Sequence, residues 1–148
     1  MTNLNKDFVK LTSENLILQD IINLVKDDGA GAITTFNGTT RNIFKDKIVV
    51  RLEYESYIPM AEKVLLNLIC EARTKWDITK VAIYHRTGIV PVGETSVIVA
   101  VSSIHRKESL HAVEWLIDEL KEKAPIWKKE VYSDGSVWKE NAENRQKC

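Results

Sequence analysis

Basic residues gathered in three short stretches are this chain's candidates for chemistry. The stretch 121–130, K-E-K-A-P-I-W-K-K-E, sets Lys121, Lys123, Lys128 and Lys129 around Pro125. Proline cannot continue a helix and biases Ala124 away from helical angles, so a helix-to-strand corner is expected there. Such a corner can aim Lys121 from the helix and Lys128 from the strand at one point. Lys128 and Glu130 should share one strand face, with Trp127, Lys129 and Val131 on the other. A lysine desolvated near other cations can serve as an acid or base. Lys121 also complements a helix C-terminus, and lysines are commonly solvated, so the residues alone leave both readings open.

The second stretch is S-S-I-H-R at 102–106. With Ser103 read as a helix cap, His105 and Arg106 fall in the first turn. Free N–H groups and the helix dipole attract an anion there, and Arg106 adds a two-pronged donor. Basic side chains at that end oppose the dipole. The misfit favours anion binding, against the alternative of an exposed basic pair. The third stretch is F-N-G-T-T-R at 36–41. Read as a turn after a strand, it offers the Thr39 and Thr40 hydroxyls and the Arg41 guanidinium to a phosphate, although such turns are often only solvated.

The remaining reactive residue types lack a pattern. Cys70 lies off the main stripe of a helix and is expected to be a buried, inert thiol. Cys148 is at the very end. His85 alternates within a strand as a satisfied core or interface residue would, and His111 offers nothing specific. There is no metal-ligand spacing, serine-nucleophile elbow or Walker-type loop, so neither a metal nor a cofactor is expected.

The elements that must position these residues fit one domain of 148 residues, with a loosely held polar tail from about 139. With 21 basic and 21 acidic residues the formal charge is zero, which argues against non-specific nucleic-acid binding. No apolar run approaches membrane-spanning length, and no secretory signal pattern opens the chain. Two distant cysteines suit reduced thiols in the cytosol. Strands are expected at 8–11, 29–36, 48–57, 78–86, 97–101, 127–132 and 137–138. Helices are expected at 21–25, closed by Gly29 in a left-handed cap, at 60–76 and at 110–124. In the 48–57 strand, Ile48, Val50, Leu52 and Tyr54 should share a face. Met60 and Leu110 are placed on the buried stripes of their helices. Residues 44–47 and 87–94 read as loops, Pro59 suits a first helical turn, and Asp134-Gly135 signals a hairpin turn leading to Val137 and Trp138. Residues 97–101, V-I-V-A-V, read as a central strand covered on both faces. Strand pairs between helices argue for an α+β fold, a mixed sheet with packed helices.

Five fragments, in order, resemble the large, catalytic subunit of molybdopterin synthase. They are F-N-G-T-T-R (36–41), L-E-Y-E-S-Y-I-P-M-A-E (52–62), H-R-T-G (85–88), V-S-S-I-H-R (101–106) and L-K-E-K-A-P-I-W-K-K-E (120–130). The resemblance implies an α/β hammerhead fold and a self-dimer, with a small ubiquitin-like subunit on each copy to complete a heterotetramer. In that family the small subunit's Gly-Gly tail ends in a thiocarboxylate. Sulfur passes from it, in two rounds, to cyclic pyranopterin monophosphate, forming the dithiolene of molybdopterin in molybdenum cofactor biosynthesis.

The resemblance implies Lys121 and Lys128 as catalytic residues. It implies Thr39, Thr40, Arg41, His105, Arg106, Lys121, Lys128, Lys129 and Glu130 as substrate-binding residues. No cysteine is required, because the sulfur arrives on the partner. Beyond Trp138 the tail departs from the family pattern, and Arg145 is given no role. The alternative is a non-catalytic module that only captures a ubiquitin-like Gly-Gly tail.

Overall fold

The computed structural model describes residues 5–140. Its first half comprises β1 (Asp7–Thr12), α1 (Leu18–Val25), β2 (Ala32–Thr39), β3 (Ile43–Phe44), β4 (Lys47–Ser56) and α2 (Ile58–Lys75). The second half comprises β5 (Val81–Arg86), β6 (Gly88–Pro91), β7 (Thr95–Ser103), α3 (Arg106–Lys123), β8 (Ile126–Tyr132) and β9 (Val137–Glu140). No described helix is long and apolar enough to cross a membrane.

An apolar strand such as β7 is stable only if both of its faces are covered, and the first sheet is built around it. The strand order is β1-β5-β7-β2, parallel between β1 and β5 and antiparallel elsewhere. Val97, Val99 and Val101 pack into the main core with Leu65 and Ile69 of α2 and Leu116 and Leu120 of α3. Ile98 and Ala100 point the other way, onto Ile21 and Val25 of α1. One helix therefore covers one face of the sheet and two cover the other. Arg73, at the end of α2, donates to the buried Asp7 carboxylate and to the Ile78 and Thr79 carbonyls, which ties β1 to the helix. A buried carboxylate needs such a partner.

The second sheet has the order β3-β4-β8-β9, with β6 also paired to β4. Its inner face carries a small core of Val49, Leu52, Val90 and Tyr132. The α+β class and the helices packed on a mixed sheet agree with the sequence reading. The division into two sheets and the strands β3 and β6 were not foreseen. β3 is two residues long, and its hairpin turn, Lys45-Asp46, has φ of 49° and 66° with no glycine to announce it. β6 contributes one buried residue, Val90, between Gly88 and Pro91, so no alternation marks it.

Several local expectations need correction. A register shift between Val49 and Arg51 puts Val49 on the buried face with Leu52 and leaves Ile48 and Val50 exposed. One extra residue in a strand reverses the alternation beyond it. Met60 and Leu110 are exposed, because the neighbouring Ala61 and Ser109 take the inward positions and turn these two side chains outward. α1 ends at Val25 with an extended Lys26, and Gly29 has no positive φ; its N–H is instead held by Asp27 Oδ1 at 2.8 Å. Pro59 does sit in the first turn of α2, and Gly135, at φ 86°, turns β8 into β9. β9 takes in Lys139 and Glu140, whereas the rest of the polar tail, with Arg145 and Cys148, lies outside the described residues.

Candidate active site

Pro125 produces the corner as expected. α3 stops at Lys123, Ala124 is extended with φ −70° and ψ 133°, and β8 starts at Ile126. The Ala124 N–H still bonds the Leu120 carbonyl at 2.9 Å, and Ser56 Oγ donates to the Pro125 carbonyl at 3.2 Å. The corner is thus fastened to both the helix and β4.

A cleft of about 230 Å³ opens beside it. Lys121 reaches the cleft from α3, and Lys128 and Glu130 reach it from β8, together with Ile126. β4 supplies Leu52 and Tyr54, and β2 supplies Phe36, Gly38 and Thr39, followed by Arg41. His85 from β5 and Ser96 and Val97 from β7 complete the inner wall. Gly38 is required by close packing: a Cβ there would sit 2.7 Å from Val97 Cγ1 and 3.2 Å from the Phe36 ring. The Arg41 guanidinium stands 5.8 Å from the centroid of the Phe44 ring, which also borders the cleft.

Three basic side chains, Arg41, Lys121 and Lys128, therefore face one carboxylate, Glu130. Lys121 is exposed at the rim, Lys128 is half-buried and Glu130 is buried. Lys128 Nζ lies 3.4 Å from Glu130 Oε1. Glu130 Oε2 accepts a bond from the Tyr132 hydroxyl at 2.7 Å, and burial, followed by this bond to Glu130, pushes the phenol up to about 12. His85 is buried with Nδ1 2.7 Å from the Arg86 carbonyl and its ring edge-on to Tyr54 at 4.8 Å. An anion with oxygens to be coordinated would be drawn into such a cleft, where the half-buried Lys128 is the least screened of the three cations.

The structure brings together Thr39, Arg41, Lys121, Lys128 and Glu130 and leaves the other candidates outside. Thr40 is buried behind the cleft, its hydroxyl without a hydrogen-bond partner among the described residues. Residues 37–39 belong to β2 and not to a turn, with a register shift at Gly38/Thr39. Lys129 points to the other face of β8, opposite Glu53. Trp127 is on that face too and is 43% exposed, so it anchors nothing in the cleft. His105 is the residue preceding α3, with no capping bond of its own, and it and Arg106 are exposed. Ser103 is not the cap, although its hydroxyl accepts the Ser109 N–H at 3.2 Å and contacts the His105 carbonyl. At about 1.5 Å of rise per residue, Arg106 and Lys121 are roughly 22 Å apart along α3.

Sequence reasoning had not named His85, Tyr54 or Phe44 as neighbours of the lysines. His85 and Tyr54 carried a signal, since alternation placed His85 with Val81 and Ile83 and Tyr54 with Leu52, whereas Phe44 fell in an expected loop.

Residues 11–123 match the family model described as MoaE protein. A relative from Arabidopsis thaliana named molybdopterin synthase catalytic subunit is 56% identical over 126 residues, 85% of this chain and 64% of the relative's length. The crystal structure of molybdopterin synthase from Staphylococcus aureus superposes with a TM-score of 0.82 at 33% identity, covering 95% of this chain and 99% of that one. The complex of subunits 1 and 2 of the molybdopterin-converting factor from Helicobacter pylori shares the fold, with a TM-score of 0.72 at 20% identity over 93% and 91% of the two chains. The chain belongs to the MoaE family, that of the molybdopterin synthase catalytic subunits.

Proposed function

We propose that the cleft is where this chain transfers sulfur from the thiocarboxylate tail of a small ubiquitin-like subunit to cyclic pyranopterin monophosphate. The observation that carries the reading is the convergence of Lys121 and Lys128, from a helix and a strand, on one cleft that also holds Arg41. The tail's thiocarboxylate and the substrate's phosphate are both anions, and three cations against one carboxylate suit them. In each round the thiocarboxylate sulfur bonds to a pterin carbon as a carbon–oxygen bond there breaks and its oxygen leaves with a proton or on the phosphate. Water then cleaves the acyl carbon–sulfur bond, releasing the tail as a carboxylate and leaving the sulfur on the pterin. Both acyl steps pass through a tetrahedral oxyanion, which an adjacent lysine ammonium stabilises, and both need protons moved. Arg41 and Thr39 serve as phosphate ligands.

A cleft of about 230 Å³ is smaller than the sites that enclose a whole drug-sized ligand, about 300 Å³ and upward, so a pterin phosphate would overhang it. His105 and Arg106 lie too far along α3 to reach that overhang in their own chain. A second copy of the chain supplies them in this reading, which makes the assembly a dimer of large subunits with one small subunit on each. Lys129 and Thr40 support the cleft from behind. The setting is cytosolic.

Lys121→Ala and Lys128→Ala, assayed with purified thiocarboxylated small subunit, are each expected to lower molybdopterin formation by about a hundredfold or more. Near-normal turnover by either folded variant removes that lysine from the mechanism. If the small subunit binds the wild-type chain and no pterin is ever converted, the chain is a tail-binding module instead.

A further inference from the structure

We propose that Tyr132 is a positioning residue for sulfur transfer, acting through Glu130 on Lys128. The proposal rests on the role given to Lys128 above. Lys128, Glu130 and Tyr132 are alternate residues of β8 and so share its inner face. Lys128 and Glu130 line the cleft, and Tyr132 stands behind them, in the small core with Val49, Leu52 and Val90. The two oxygens of Glu130 are divided between its neighbours. Oε2 takes the Tyr132 hydroxyl at 2.7 Å, and Oε1 faces Lys128 Nζ at 3.4 Å.

A glutamate side chain has several rotamers, and a carboxylate held at one oxygen by a packed phenol loses most of them. Order is thus passed from the core to the cleft: packing fixes the ring, the ring fixes the carboxylate, and the carboxylate sets where Lys128 points. Because the phenol is buried and bonded to Glu130, it stays protonated, and a donor, across the neutral pH range. Lys47 Nζ caps the outer side of the ring at 5.2 Å from its centroid, and its ammonium is 3.5 Å from Asp134. The charged and titratable groups that share the cleft with Lys128 are Arg41, Tyr54, His85, Lys121 and Glu130.

The test is Tyr132→Phe in the enzyme assembled with its thiocarboxylated small subunit. The expected result is a fall in kcat of about tenfold with KM within about twofold. The alkaline limb of the pH–rate profile should move downward, because a carboxylate no longer held by the phenol is placed less firmly against Lys128. Glu130→Gln, which keeps an acceptor for Tyr132 and removes the charge, should move the same limb downward. A Tyr132→Phe enzyme with wild-type kcat and pH profile overturns the proposal, even if its melting temperature has dropped. If Tyr132→Phe does not fold, an unshifted limb in Glu130→Gln overturns it. Lys128→Ala is run in parallel: if that variant is active, the reading of the site fails as a whole, and if it is inactive while Tyr132→Phe is wild-type, only the role of Tyr132 fails.

Discussion

The two ends of α3 carry basic residues in very different surroundings. At its C-terminal end the helix delivers Lys121 to a cleft that β2, β4, β5, β7 and β8 also reach. At its N-terminal end it leaves His105, Arg106 and Lys107 exposed, with no second element among the described residues closing over them. Lysines at the first end agree with the helix dipole, so placing a cation there for chemistry costs the fold little. Basic residues at the other end oppose it. Among the described residues that end has only Glu108 of its own first turn as a compensating charge, and a second copy bringing its own substrate-filled cleft would supply another.

The sharpest way to break this comparison is to mix two inactive proteins. Lys128→Ala and Arg106→Ala damage opposite ends of α3. If a site draws one end from each copy, the mixed dimers hold one intact site, and re-equilibrated mixtures should recover about a quarter of wild-type turnover from near zero. Recovery no greater than the sum of the separate variants would show that both ends act within one chain, or that the N-terminal pair is only solvated.

A smaller effect is expected from Gly38→Ala, at the floor of the cleft. The added Cβ meets Val97 Cγ1 at 2.7 Å, so the cleft wall must shift. Overpacking of this kind costs about 1–3 kcal/mol, readable by denaturant titration, and turnover should fall with it. Stability and turnover both unchanged would mean that the cleft is looser than its packing indicates.

The smallest effect separates a structural lysine from the catalytic pair beside it. Lys123 lies 2.8 Å from Glu119, one turn back on α3, and its contact with that carboxylate raises its ionisation above the usual lysine value. A raised folded-state value means stabilisation that is complete below the unfolded lysine's pKa, about 10.4, and lost as pH rises through the folded value. Lys123→Ala should therefore lower the denaturation midpoint slightly at about pH 8, converge with wild type once the pH passes the raised folded value, and leave turnover within about twofold. A large loss of turnover would place Lys123 in the site with Lys121.

Much of this was legible beforehand. The Pro125 corner, the doubly covered β7, the α2 stripe from Leu65 to Ala72 and the Asp134-Gly135 hairpin follow from local rules, and each is present. The failures share a cause, which is that they depend on what lies across from a residue. The bulge at Val50 is set by its partner strand, Met60 and Leu110 are exposed because Ala61 and Ser109 take the inward positions beside them, and β6 exists only by pairing with β4. The face shared by Lys128, Glu130 and Tyr132 was readable from period-two alternation. That the Tyr132 hydroxyl bonds one oxygen of Glu130 was not.

The sequence by itself determined most of the elements, the corner and the residue types able to hold an anion, because propensity, proline geometry and periodicity act within a few residues. The tertiary structure alone decided that Arg41, Lys121 and Lys128 meet while His105 and Arg106 do not. Residues tens of positions apart are brought together by sheet pairing and core packing, and neither leaves a mark in the spacing of the cations themselves.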